Sequence, residues 1–278
     1  MIDVKEKMVD IRMVAIDLDG TLLTDAKAIS EPTVEALRKV SSRGVRVVIA
    51  SARPPRSVRP FYEQLGLDTL QINYNGALIW DETNKRAIFH GPMEGELVRQ
   101  VARHARELHP DVLVSLEVMD RWYTDRVDPK YLTETAKVFT PDCVAPIETF
   151  CGQPVTKLML LGEPGVILNL ERVLNERYAE QISTTRCDAD LLQIMNRQVS
   201  KAAALRRVAE YYGLAMEQVM AIGDAPNDVE MLQAAGVAVA VGNAHPAAKA
   251  AADWVSPDNN SHGVMAALER FGVLSGGC

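Results

Sequence analysis

The chain has no apolar run of membrane-spanning length, no basic stripe and no paired cysteines, and each absence removes a class of protein. A transmembrane helix needs about 20 consecutive apolar residues, so no segment is expected to enter a bilayer. With 30 Lys and Arg against 37 Asp and Glu the net charge is −7. No basic run interleaved with aromatics appears, which argues against nucleic acid as a partner. The four cysteines, Cys143, Cys151, Cys187 and Cys278, form no C-x-x-C pair, and none of the five scattered histidines stands at zinc spacing from them. They read as free thiols. Cys278 is the last residue and makes no prenylation signal. The opening M-I-D-V-K-E-K is charged and lacks an apolar leader core, so a reducing cytoplasm is the expected location. No G-x-G-x-x-G follows a strand, which removes dinucleotide binding. Internal repeats and low-complexity tracts are also missing.

What is present centres on Val14 to Leu23, V-A-I-D-L-D-G-T-L-L. The apolar run Met13 to Ile16 fits a strand covered on both faces, and Gly20 and Thr21 end it. Asp17 and Asp19 therefore stand at a strand's carboxyl end, where ligands of open α/β sheets gather. Asp is also a common turn former, and taken alone this pair is as well explained that way. Asp17 nevertheless falls at an inward-pointing position, where an unpaired carboxylate is costly unless a cation or donor meets it.

The length of 278 residues, 47% of them apolar, predicts a globular chain of about two domains. Ser30, Glu31 and Pro32 read as a helix start, with the helix ending near Arg43 at Gly44. Val45 to Ala50 is a β-branched strand delivering Ser51. Arg53-Pro-Pro-Arg56 breaks that strand; these arginines could touch substrate, but Pro-flanked arginines more often read as solvated. A short helix over Val58 to Leu65 and a strand over Leu70 to Tyr74, closed by Asn75-Gly76, complete a parallel β-α-β pattern. Ala77 to Trp80 and Arg86 to His90 then read as a hairpin.

The pattern changes near Pro92. A long amphipathic helix presents Leu97, Val101, Ala105 and Leu108, followed by strands at Val112 to Val118, Trp122 to Thr124, Val155 to Leu161, Ile182 to Thr185 and Leu191 to Met195, with a helix over Val166 to Tyr178. In the triplet Arg121-Trp122-Tyr123 the aromatics read as core before ligand contacts. The parallel pattern resumes with Ser200 capping a helix from Lys201 to Tyr212, a strand at Val219 to Ile222 running into Gly223-Asp224, a helix over Asn227 to Ala235, a strand at Val237 to Val241, a helix over Pro246 to Ala252, a short strand at Trp254-Val255 and a last helix over Gly263 to Phe271. The fold class is α/β: a parallel-sheet domain split in sequence, residues 1–84 and 196–278, with an α+β domain of residues 85–195 inserted.

Asp17, Asp19, Ser51, Lys201, Asp224, Asn227 and Asp228 all fall at strand ends or helix starts of that split domain. Two carboxylates about 4 Å apart repel by roughly 4 kcal/mol at an effective dielectric of 20, a cost a divalent cation removes. Oxygen ligands without His or Cys favour a hard ion, hence Mg²⁺. A cation, a lysine, a small hydroxyl and helix-start amides suit a phosphoryl group, and an aspartate can attack it. Each residue taken singly has a plainer explanation: Lys201 as a solvated helix residue, Ser51 as a strand-end polar group, Asp228 as a charge favoured by the helix dipole. Only their combination carries the inference.

D-L-D-G-T at Asp17 to Thr21, Ser51 after an apolar strand, Lys201 at a helix start and G-D-A-P-N-D at Gly223 to Asp228 resemble, in order, the four motifs of the haloacid dehalogenase superfamily. The insert before Lys201 is similar to the large α/β cap of its Cof-type phosphatases. The resemblance implies a Rossmann-like core with an inserted α+β cap. It also implies a Mg²⁺-dependent phosphatase that hydrolyses a small phosphorylated metabolite through an aspartyl-phosphate. Asp17 would be nucleophile and metal ligand, and Asp19 general acid/base, lending its carbonyl to the metal. Asp224 would complete the metal site with Asp228. Ser51, Lys201 and Asn227 would hold the phosphoryl group, and Asn75-Gly76 matches a further family loop. The chain departs from the family where it has Ser51-Ala52-Arg53 for Thr-Gly-Arg, Ser200-Lys201-Ala202 for Ser-Lys-Gly and Gln193-Ile194 for Glu-Ile. A phosphomutase or phosphotransferase is the alternative, and a receiver-like module that only stores phosphate is a more distant one.

Overall fold

The computed structural model describes residues 10–274 except Leu132 and Glu134, with the Cys187 side chain also outside the description. The thiols of Cys187 and Cys278 therefore lie outside the described residues, while Cys143 and Cys151 are free, as expected. In chain order the elements are β1 (Met13–Ile16), α1 (Glu31–Ser42), β2 (Arg46–Ile49), α2 (Pro55–Leu65), β3 (Gln71–Asn73), β4 (Leu78–Asp81), β5 (Arg86–His90), α3 (Gly95–Leu108), β6 (Leu113–Val118), β7 (Arg121–Thr124), β8 (Cys143–Val144), β9 (Lys157–Leu161), α4 (Pro164–Tyr178), β10 (Ile182–Asp188), β11 (Leu191–Asn196), α5 (Lys201–Tyr211), β12 (Val219–Gly223), α6 (Val229–Ala234), β13 (Val237–Ala240), α7 (Pro246–Ala251), β14 (Trp254–Val255) and α8 (Gly263–Arg270). Among the described residues no helix is long and apolar enough to cross a membrane. The chain gathers into two compact units: one runs to Ala52, over Val58–Arg86 and from Ser200 onward, the other comprises Arg53–Ser57 and Ala87–Val199.

The first unit is built on a parallel sheet of strand order β14-β13-β12-β1-β2. Every residue of β1 is fully buried, the burial its unbroken apolar run requires. Ile16 pairs with Ile222 on one side and Ile49 on the other, so the strands carrying Asp17, Ser51 and Asp224 end level with one another. β3 joins through a single bridge from Ala50 to Ile72, and the turn Tyr74–Gly76 returns the chain into antiparallel β4. Helix α2 starts at Pro55, a turn before the expected Val58, because proline's missing N–H costs nothing in a first helical turn. Ser30 precedes α1 without capping it. Its hydroxyl donates to Thr33 Oγ1 (2.9 Å) and meets His262 Nδ1 (2.9 Å) instead.

The second unit holds a six-stranded sheet of order β10-β11-β9-β6-β7-β8. Helices α3 and α4 bury Val98, Val101, Ala102, Ala105, Ile167, Leu170 and Leu174 against Val114, Leu116, Leu158, Leu160, Leu192 and Ile194. The buried stripe of α3 steps through 98, 101, 102 and 105, a helical period. Leu97 packs at its border and Leu108, ten residues beyond Val98, falls off the stripe and is exposed, contrary to the sequence reading. Strand β8, parallel to β7, had no signal in the sequence. Tyr123 joins the core by stacking near Phe150, with ring centroids 4.7 Å apart, while Trp122 donates Nε1–H to Ser115 Oγ at 2.6 Å.

Arg56 corrects another expectation, because it is buried and not solvated. Its guanidinium meets Glu117 Oε1 at 2.6 Å and Asp120 Oδ1 at 3.4 Å, its amide donates to Asp120 Oδ1 at 2.8 Å, and Phe139 lies beneath it. The carboxylates that hold it lie 61 and 64 residues along the chain, so no local pattern announces them.

Candidate active site

The site begins at the end of β1. The Asp17 amide donates to Ile222 O (2.9 Å), which ties the last peptide of β1 to β12. The chain then turns sharply: Leu22 N returns to Asp17 O (3.2 Å) and Leu23 N to Leu18 O (2.9 Å). Gly20 makes this turn possible twice over. It adopts φ +81, a left-handed conformation that other residues resist, and a Cβ there would stand 2.6 Å from Asp224 Oδ2. Thr21 Oγ1 donates to Asp224 Oδ1 at 2.7 Å, so the first motif grips the last directly.

Lys201 enters from helix α5, whose N-terminus Ser200 caps by accepting from Ala203 N (3.2 Å). Its side chain is fully buried and its ammonium donates to Asp17 Oδ1 (2.5 Å) and Asp228 Oδ1 (2.7 Å). The other Asp228 oxygen accepts from the amides of Asp224 (3.1 Å) and Ala225 (3.0 Å). Asp228 thus anchors both the lysine and its own loop.

Electrostatics sets this cluster apart. Ligand oxygens of Asp17, Asp224 and Asp228 lie within 4.8 Å of one another, with one lysine among three carboxylates. Burial, opposed by Lys201 and reinforced by Asp228 and Asp224, holds the Asp17 carboxyl well above the usual carboxylate range. Burial raises Asp224 as well. Burial also works against the charge on Lys201, but Asp17 and Asp228 outweigh it and raise its pKa. An all-oxygen, over-negative cluster is one a hard divalent cation fits: it would offset the burial and the repulsion that together favour protonation.

The remaining expected residues are placed as follows. Ser51 is buried, its amide donating to Ile72 O (2.8 Å) and its carbonyl accepting from Asn75 N (3.0 Å). Asn227 donates Nδ2–H to Asn75 Oδ1 at 2.9 Å. The Asp19 carboxylate is partly exposed and pairs with Lys27 (3.0 Å), outside the three-carboxylate group. Gln193 lies buried on β11 with its Oε1 unpartnered among the described residues.

Asn75 is the residue that sequence reasoning undervalued. It is buried in a left-handed conformation (φ 52), and it links Ser51 to Asn227. The following Gly76 passes so close to the α5 cap that a Cβ would stand 2.2 Å from Ser200 O. The Asn-Gly pair was the available signal, but it is common enough in ordinary turns to be discounted.

The family model for haloacid dehalogenase-like hydrolases matches residues 14–268. The chain is 29% identical over 262 residues to the 5-amino-6-(5-phospho-D-ribitylamino)uracil phosphatase YitU of Bacillus subtilis, covering 93% of this chain and 97% of that one. It is 30% identical to the HMP-PP phosphatase of Cronobacter sakazakii, over 84% of this chain and 85% of the relative. Among solved structures, a haloacid dehalogenase-like hydrolase from Bacteroides thetaiotaomicron superposes with a TM-score of 0.86 at 29% identity, covering 94% of this chain and 99% of that one.

Proposed function

The chain belongs to the haloacid dehalogenase-like hydrolases and is an enzyme acting on phosphoric monoesters; from that premise we propose that it is a Mg²⁺-dependent phosphatase of a small phosphorylated metabolite, working through an aspartyl-phosphate on Asp17. The observation that supports the proposal is the buried contact of Lys201 with Asp17 and Asp228 beside Asp224, which gathers three carboxylates around one ammonium.

In this reading an Asp17 oxygen attacks phosphorus as the ester P–O bond breaks, and Asp19 gives a proton to the departing oxygen. Asp19 then takes a proton from water, which attacks phosphorus and frees Asp17 and inorganic phosphate. Asp17, Asp224 and the Asp19 carbonyl would hold the cation, with Asp228 supporting them. A bound cation supplies charge neutralisation for the phosphoryl oxygens. Ser51, Lys201 and Asn227 would orient those oxygens, with Asn75 fixing Asn227. The Asp19 carboxylate is partly exposed and pairs with Lys27 at 3.0 Å, so solvent reaches the group proposed to carry the proton. The second compact unit, Arg53–Ser57 with Ala87–Val199, would act as the cap that selects the leaving group and excludes water.

The test is a panel of sugar phosphates, nucleotides, pyridoxal phosphate and flavin precursors, assayed for inorganic phosphate with Mg²⁺ and with a chelator. Release that needs the metal and disappears in Asp17→Asn supports the proposal. Full turnover in Asp17→Asn, or in chelator, overturns it. Phosphate recovered on an added sugar would reassign the protein to phosphoryl transfer.

A further inference from the structure

We propose that Asn243 is a positioning residue for the acidic cluster: the turn Asn243 to His245 holds the Gly20 peptide and Asp224 at a set separation. The inference rests on the proposed cation site. Asn243 donates Nδ2–H to Gly20 O at 2.8 Å, and its Oδ1 accepts from Asn259 N at 3.0 Å. Two residues on, the His245 amide donates to Asp224 O at 2.7 Å. One short turn therefore grips both sides of the narrow place where Gly20 lies against the Asp224 carboxylate.

The support behind Asn243 is itself built. Asn259 is buried, and its Nδ2 donates to Leu23 O (2.9 Å) and Asp25 Oδ1 (3.2 Å). Asn260 exchanges two bonds with Asp25: it donates Nδ2–H to Oδ2 (3.0 Å) and accepts from the Asp25 amide (3.0 Å). Hydrogen bonds from Asn259 and Asn260 hold Asp25 below the usual carboxylate range. The loop that leaves the nucleophile strand is thus tied in two separate places: beside the cluster, at Gly20, by Asn243, and farther along, at Asp25, by Asn260. Groups that orient ligands in this way typically alter metal affinity by about 10-fold or more when removed. Asn243 is exposed and buries little, so its removal leaves packing intact.

The experiment measures Mn²⁺ binding by electron paramagnetic resonance, with Mg²⁺ as competitor, alongside thermal melts. Wild type, Asn243→Ala and Asn260→Ala are compared without substrate. Asn243→Ala is expected to weaken binding about 10-fold. Asn260→Ala, which leaves the Asn243 bonds in place, should lower the melting temperature with affinity kept within about twofold. Equal affinity in wild type and Asn243→Ala, or equal losses in both variants, overturns the inference while the cation site stands. Failure of wild type to bind either ion overturns the cation site and this inference with it. If Asn243→Ala does not fold, Asn243→Ser, too short to reach Gly20 O, carries the same expectation.

Discussion

Among the described residues, two places bury a basic side chain between two carboxylates, and they differ in balance. In the first unit Lys201 sits between Asp17 and Asp228 with Asp224 close by, one cation among three acids. In the second unit Arg56 sits between Glu117 and Asp120, and buried Lys157 stands directly across the sheet from Glu117, two cations with two acids. A matched cluster can be satisfied from within. A surplus of buried negative charge needs something from outside, and that difference separates a candidate catalytic centre from a structural ion network.

The comparison breaks hardest at Asp17. Asp17→Asn should reduce turnover by about 10⁴-fold, with the melting temperature unchanged or higher because one repelling carboxylate is gone. Steady-state kinetics beside a thermal melt checks both halves. Arg56→Met should do the reverse, costing about 3–5 kcal/mol of stability by stranding the buried Glu117 carboxylate beside partly buried Asp120. Urea unfolding reads the loss, and adding Glu117→Gln should restore part of it.

A cation should distinguish the clusters as well. Saturating Mg²⁺ at about 100 times its dissociation constant should stabilise the protein by about 2.7 kcal/mol. Arg56→Met should keep that increment and Asp224→Asn should lose it. A smaller effect is expected at Gln193, whose buried Oε1 meets no hydrogen-bond partner among the described residues. Gln193→Leu should change stability by at most about 1 kcal/mol, in the stabilising direction.

The smallest effect lies at His90, held below its ordinary pKa of 6.5 by burial while Nε2 meets Thr156 Oγ1 at 2.8 Å. A histidine whose folded pKa is depressed contributes stability that is full above the unfolded value and falls as the pH drops through 6.5 and below. His90→Gln should flatten that acid limb in melts taken across the range. A melting curve that kept the same slope would remove His90 as its source.

Much of the first unit could be read from the chain because its signals are local. Met13–Ile16 was located to the residue, since a strand covered on both faces must be apolar throughout. The helix start at Lys201 followed from Ser200, whose hydroxyl caps as expected. Where a polar residue had several partners to choose from, local reading failed. Ser30 gave its hydroxyl to Thr33 and His262, and Arg56 found Glu117 and Asp120 rather than water. Leu108 failed for another reason: helix periodicity defines a stripe only to within a turn, and the sheet beneath α3 selected Val98 and Ala102 instead.

By itself the sequence determined the kinds of groups available and the strand ends that deliver them, because hydrophobic period, caps and glycines act within a few residues. It could not determine which of those groups touch. That Lys201 lies between Asp17 and Asp228, 184 and 27 residues away, was decided by the parallel register of β1 and β12 and by the close passage of Gly76 beneath the α5 cap. The same holds for Asn75 and Asn243, ordinary turn residues until the folded chain sets them against Asn227 and Gly20. Side-chain hydrogen bonds act over about 3 Å, and only tertiary packing brings such distant residues within that reach.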